Sequence, residues 1–112
     1  VDVVYGDDEP QKSSTEMEGL LVKHPNLRGV IAPTSVGLAA AAQVLTKQGN
    51  YPGGPKATGK GLVLTGLGTP NELKKAVKEG AVQKFQLWDP ADIGDVAAFL
   101  ASQLGQKKLE LK

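Results

Sequence analysis

Four short segments hold most of the residues in this chain that could grip or transform a small molecule: Gly6-Asp7-Asp8, Ala32-Pro33-Thr34-Ser35, Thr65-Gly66-Leu67-Gly68-Thr69 and Gln86-Leu87-Trp88-Asp89. Together they offer hydroxyls, backbone amides beside glycines, one amide side chain, carboxylates and the only tryptophan. Such a set suits hydrogen bonding to the hydroxyls of a ligand, with an aromatic face for its apolar C–H surface. It suits covalent catalysis poorly. His24 is the only histidine, cysteine is missing, and no Gly-x-Ser-x-Gly turn occurs, so a nucleophile and base have nothing to be built from. The expectation is a binding module without catalytic residues, metal ligands or a cofactor.

Each segment also has a plainer reading. Thr34 or Ser35 would cap the helix that follows, and a cap at that edge can still face a ligand. Thr69 is a cap first, with ligand contact through nearby backbone amides. Gly66 and Gly68 would permit a tight turn, and no third glycine stands at the offset of a dinucleotide fingerprint. Trp88 follows an apolar strand and would serve either the core or a ligand, and Asp89 would cap, accept from a ligand, or both. Asp7 and Asp8 resemble the paired acids of a receiver domain that hold a divalent cation, but the rest of that constellation is missing and a solvated turn is the simpler reading.

These segments must be positioned by alternating strands and helices. Apolar runs at Val1 to Tyr5, Leu27 to Ala32, Leu62 to Leu64 and Val82 to Leu87 read as strands, each followed by a helical pattern. The first helix buries Met17, Leu20 and Leu21 and stops at His24, because a residue before proline is pushed out of the helical region. The second, about 36–47, is alanine-rich and suited to close packing on a sheet. The third opens with Thr69-Pro70-Asn71-Glu72, a capping box with Pro at the first helical position, and ends at Gly80. The fourth begins at Asp89-Pro90, carries Ile93, Val96, Ala97 and Leu100 on one face, and stops near Gly105. The stretch Gly49 to Gly61 is too rich in Gly and Pro for either element and reads as a loop at the N-terminal edge of the sheet. The tail from Lys107 to Lys112 reads as an edge strand or a frayed end. Right-handed crossovers then give a parallel α/β sheet of four strands, in order 2-1-3-4, covered by helices on both faces. Ligands of such sheets sit outside the carboxyl ends of the strands, which is the rule that singles out the four segments.

Length and charge narrow the class further. At 112 residues, 40% hydrophobic and 22% charged, the chain falls in the range of one globular domain with one core. A net charge of +1 gives no electrostatic reason to expect nucleic acid or an anionic membrane as partner. No apolar run approaches the roughly 20 residues that span a bilayer. The chain opens in a strand-like run without Met, so the expectation is an excised piece with sequence upstream of it.

Three stretches carry a resemblance: Val30-Ile31-Ala32-Pro33-Thr34-Ser35-Val36-Gly37-Leu38-Ala39-Ala40-Ala41, Leu64-Thr65-Gly66-Leu67-Gly68-Thr69-Pro70-Asn71, and Phe85-Gln86-Leu87-Trp88-Asp89-Pro90. They resemble the second lobe of type I periplasmic sugar-binding proteins of the ribose-binding kind, and among these the rhamnose-binding proteins and autoinducer-2 receptors. The resemblance implies one lobe of a two-lobed, hinge-closing receptor in the periplasm or otherwise outside the cytoplasm, where a missing N-terminal segment would supply any lipid anchor. It would deliver a monosaccharide, rhamnose favoured, to the membrane permease of an ABC importer, with a missing N-terminal lobe of the same protein as its other wall. It places Pro33, Thr34 and Ser35, the run Gly66, Leu67, Gly68 and Thr69, and Trp88 with Asp89 at the ligand. It also implies that residues 1–89 form the second-lobe domain, while 90–112 lie beyond a hinge and belong with the other lobe. Ribose binders have an Asp near Leu67 and an Asn near Thr34, and neither is present here. Two other readings share the architecture in whole or part: the effector-binding domain of a LacI-type repressor, and a small α/β enzyme or receiver domain using Asp7 and Asp8.

Overall fold

A computed structural model describes residues 2–57, 59–87 and 89–110. Trp88, one of the expected ligand contacts, lies outside the described residues, as do Val1 and the end of the tail. The order of elements is α1 (Pro10–Lys23), β1 (Gly29–Ala32), α2 (Ser35–Gln48), β2 (Val63–Gly68), α3 (Pro70–Lys78), β3 (Gln86–Leu87) and α4 (Pro90–Gly105). No helix among the described residues is long and apolar enough to cross a membrane.

The helices begin and end where local chemistry says they should. His24 closes α1 in front of Pro25, its amide returning to the Leu20 carbonyl. Gly49 ends α2 with a φ of 73°, a left-handed turn that glycine adopts without a Cβ penalty. Pro70 and Pro90 occupy the first turns of α3 and α4, where no backbone donor is lost.

The sheet departs from expectation in three ways. Among the described residues it has three parallel strands in the order β1-β2-β3, where four in the order 2-1-3-4 were expected. Asp2 to Tyr5 forms no strand, and Val3 and Tyr5 are exposed. An apolar run becomes a strand only when a neighbour completes its hydrogen bonds, and here Asp2 is instead bound to the end of α1 by Lys23 and His24. β1 therefore pairs directly with β2, Gly29 with Val63 through Ala32 with Gly66. Secondly, β2 runs on to Gly68, four residues past the expected apolar run, which ended at Leu64. Thirdly, the last strand is only two residues long, Leu67 pairing with Gln86 and Gly68 with Leu87, while Val82 is buried ahead of it without joining the sheet.

The core lies on one face of this sheet. The helix α2 packs directly on β1 and β2, with α1 and α3 at its two flanks. Leu38, Leu45, Leu62, Leu64, Leu73 and Val82 are fully buried, and Ala41 and Ala42 bring the helix close. Alternation sends Ile31, Val63, Thr65 and Leu67 to the opposite face, where Ile31 keeps 77% of its surface. The expected cover on both faces is thus present on one, because α1 packs against α2 and α4 buries no residue at all. The radius of gyration is 17.8 Å, against about 13 Å for a compact chain of this length.

The loop 49–61 folds tightly on itself. Lys56 donates to the Gly49 carbonyl at 2.9 Å and Gly54 to that of Tyr51 at 2.8 Å, while Tyr51 packs on the core. A side chain at Gly61 would strike the Tyr51 backbone at 2.5 Å, so the close return of this loop requires glycine there.

Candidate functional site

Parallel pairing puts the carboxyl ends of all three strands on one edge. Register fixes how they line up: Ala32 lies beside Gly66, and Gly68 beside Leu87. Each strand then passes within a few residues into a helix, giving three junctions at residues 32–35, 68–70 and 87–90.

At the first junction Pro33 is exposed while Thr34 and Ser35 are half-buried. The Thr34 Oγ1 accepts from the Gly37 amide at 3.1 Å, which caps α2. Gly37 has no room to spare, since a Cβ there would come within 3.1 Å of that same oxygen. Ser35 is left to open the helix, with amides of the first turn facing the strand-end edge.

At the second junction the structure separates four residues expected to act together. Gly66 and Gly68 sit within β2, and their lack of a side chain is a packing requirement: a Cβ on Gly66 would lie 1.8 Å from the Ala32 carbonyl, and one on Gly68 2.4 Å from Leu73. Leu67 alternates to the uncovered face of the sheet and is half-buried there. Only Thr69 stands at the edge itself. The expected capping box is not formed, because the Glu72 carboxylate accepts from the Thr69 hydroxyl at 2.6 Å and does not reach the backbone. Thr65, half-buried one turn of the ladder earlier, donates to the Lys84 carbonyl at 2.9 Å and ties β2 to the approach to β3. Sequence reasoning missed this hydroxyl as a brace, although a Thr in mid-strand facing the next strand is the signal for one.

At the third junction Asp89 is exposed and caps α4, its carboxylate accepting from the Ala91 amide at 3.0 Å. Gln86 is exposed in β3. The arrangement is an open edge that carries hydroxyls, a carboxylate and helix-terminal amides, with no opposing surface from the described residues. A separate groove between α2 and α3, lined by Gln43, Thr46, Lys75 and Glu79, lies on the helix flank.

The remaining acids are placed elsewhere. Asp7 and Asp8 occupy a turn with φ of 52° and 56°, and Asp7 is ion-paired with Lys12. No group of three or more His, Cys, Asp or Glu gathers as a metal site among the described residues. His24 stands at the opposite end of the sheet, its Nε2 3.0 Å from Asp2, which also accepts from Lys23 at 2.7 Å. These two partners, Lys23 first, hold the Asp2 carboxyl well below the usual carboxylate range.

Comparison with known proteins agrees with this fold. The model of the family described as periplasmic binding protein domain matches residues 1–109. A sugar ABC transporter protein from Actinomyces odontolyticus is 44% identical over 95% of this chain, with a TM-score of 0.71. An ABC transporter solute-binding protein from Clostridium phytofermentas, solved with L-rhamnose bound, is 35% identical over 96% of this chain, with a TM-score of 0.77. The chain spans 31% and 32% of the lengths of those two proteins.

Proposed function

This chain belongs to the periplasmic binding protein domain family, and from that premise we propose that it forms one wall of the ligand cleft in the solute-binding component of a sugar ABC importer. The observation that supports this most is the alignment of three strand-to-helix junctions on one sheet edge, each bearing a hydroxyl or carboxylate beside free helix amides. Such an edge binds hydroxyl-rich ligands reversibly and offers no nucleophile for turnover, so the role is capture and not catalysis.

Pro33, Thr34, Ser35, Thr69, Trp88 and Asp89 form the contact set in this reading, with Gly66 and Gly68 keeping the backbone edge narrow. The other lobe closes over the sugar from outside the cytoplasm and excludes water, and the closed form is handed to a membrane permease. Residues 90–112 pack with that other lobe. A 6-deoxysugar is the favoured ligand, since the relative from Clostridium phytofermentas holds L-rhamnose and an indole beside a methyl-bearing sugar face excludes water well.

The test is thermal unfolding of the two-lobed protein that carries this chain, against L-rhamnose, autoinducer-2, ribose and galactose. Ligand at about a hundred times its dissociation constant adds roughly 2.7 kcal/mol of stability, a shift that melting resolves. A shift with rhamnose alone is the expected result. A shift with none of the four removes the sugar, and a shift with autoinducer-2 alone replaces it. Trp88→Ala should weaken binding by about 1–3 kcal/mol in calorimetric titration, and an unchanged dissociation constant would take Trp88 out of the site.

A further inference from the structure

Of the three strand-to-helix junctions, the third is held least firmly by its strand. β3 spans two residues, Leu67 pairing with Gln86 and Gly68 with Leu87, and neither Gln86 nor Leu87 is buried. Register is specified strongly where one face of a strand is buried and a long ladder repeats the pairing. Neither condition is met at the described residues of β3. The approach to it is anchored by Val82 and Phe85, which pack in and against the core. At Lys84, between those anchors, a side-chain link crosses to β2. Continuing the pairing two residues back sets Thr65 beside Lys84, and there the Thr65 Oγ1 donates to the Lys84 carbonyl at 2.9 Å.

From this we propose that Thr65 is a positioning residue for the ligand edge: its hydroxyl fixes the register of β3 on β2, and with it the place of Asp89 along that edge. The proposal rests on the reading of this edge as the sugar-binding one. Successive carbonyls of a strand point to opposite sides, so after a slip of one residue the hydroxyl meets no acceptor. The same slip moves Asp89 by about 3.3 Å along the strand, well beyond the ~0.5 Å within which a binding constellation must be held. The first junction needs no such brace, because β1 pairs with β2 over four residues, Gly29 to Ala32. Thr65 stands four residues ahead of Thr69 and acts through Lys84 and the backbone that follows it, without touching the ligand itself.

The test uses the two-lobed protein that carries this chain in three forms: unaltered, Thr65→Val, which keeps the shape and drops the hydroxyl, and Thr65→Ser, which keeps the hydroxyl. Amide hydrogen exchange without sugar reads the brace. Thr65→Val should speed exchange at Gln86 and Leu87 roughly fivefold, the net worth of one hydrogen bond, and by more than at the amides of α2, while Thr65→Ser should restore it. Calorimetric titration with L-rhamnose reads the site: Thr65→Val should weaken binding by about the same factor, and Thr65→Ser should bind as the unaltered protein does. A role in stability alone would lower the melting temperature of Thr65→Val and leave the dissociation constant of the folded protein unchanged, and that result overturns the proposal. So does equal exchange at Gln86 and Leu87 in the unaltered and Thr65→Val forms, whatever the titration gives. An unaltered protein that takes up no L-rhamnose removes the sugar reading instead, and the exchange rates then decide the brace by themselves.

Discussion

The helices α2 and α4 are built alike and end up in opposite surroundings. Each begins at a side-chain cap, Thr34 accepting at 3.1 Å and Asp89 at 3.0 Å, and each carries an apolar stripe at helical spacing. Yet α2 buries six residues and α4 none. A stripe specifies that a helix needs cover. What covers it depends on where the preceding strand delivers it: β1 is paired along its whole length and feeds α2 onto the sheet, whereas β3 contributes two residues and feeds α4 away from it.

The largest expected effect tests that contrast directly. Leu45→Ala should cost about 2–5 kcal/mol in urea unfolding, the range for deleting a fully buried leucine side chain. Leu100→Ala should stay within about 0.5 kcal/mol, as exposed substitutions do. Equal losses would mean that α4 packs on the body in solution, and the contrast would fail.

A smaller difference should separate the caps. Thr34→Ala should lower global stability by about 1 kcal/mol, since α2 is part of the core. Asp89→Ala should leave the unfolding midpoint unchanged and reduce only helix content by circular dichroism, because α4 buries no residue against the body. A shift in midpoint for Asp89→Ala would show that the two helices unfold as one unit.

The smallest effect concerns the segment ahead of α1. Asp2 is exposed, and its carboxyl is held below its ordinary range by Lys23 and His24. A carboxyl depressed in the folded state stabilises it above the unfolded pKa, about 3.9, and the contribution fades as pH falls below that value. Asp2→Asn should therefore lower the melting temperature slightly at neutral pH, with the gap to the unaltered chain closing in acid. A gap that persists at low pH would mean that the ion pairs contribute nothing.

The helices were legible in the sequence because their ends are written locally: His24 before Pro25, Thr34 before Ser35, Pro70, Gly49 and Pro90 act on their own neighbours. The strands were legible only as apolar runs. Whether Val3 to Tyr5 joins a sheet depends on a partner elsewhere in the chain, and Val82 is buried by packing without any ladder. The site was readable as an edge, since the strand-to-helix order sets where Thr34, Thr69 and Asp89 fall. It was not readable that Gly66 and Gly68 lie inside β2, because their role is set by Ala32 and Leu73, distant in one case and on the next helix in the other.

The brevity of β3 has a mechanical side. Two paired residues are the last backbone attachment before a helix about 24 Å long, so α4 is a lever on a narrow mount. A rotation of about 10° at its base carries the far end through roughly 4 Å, about three-quarters of the rise of one helical turn. Any surface that grips α4 along its length can thus register a small twist at the edge where Thr69 and Asp89 stand, and a ligand that changes that twist is felt most at the end farthest from it.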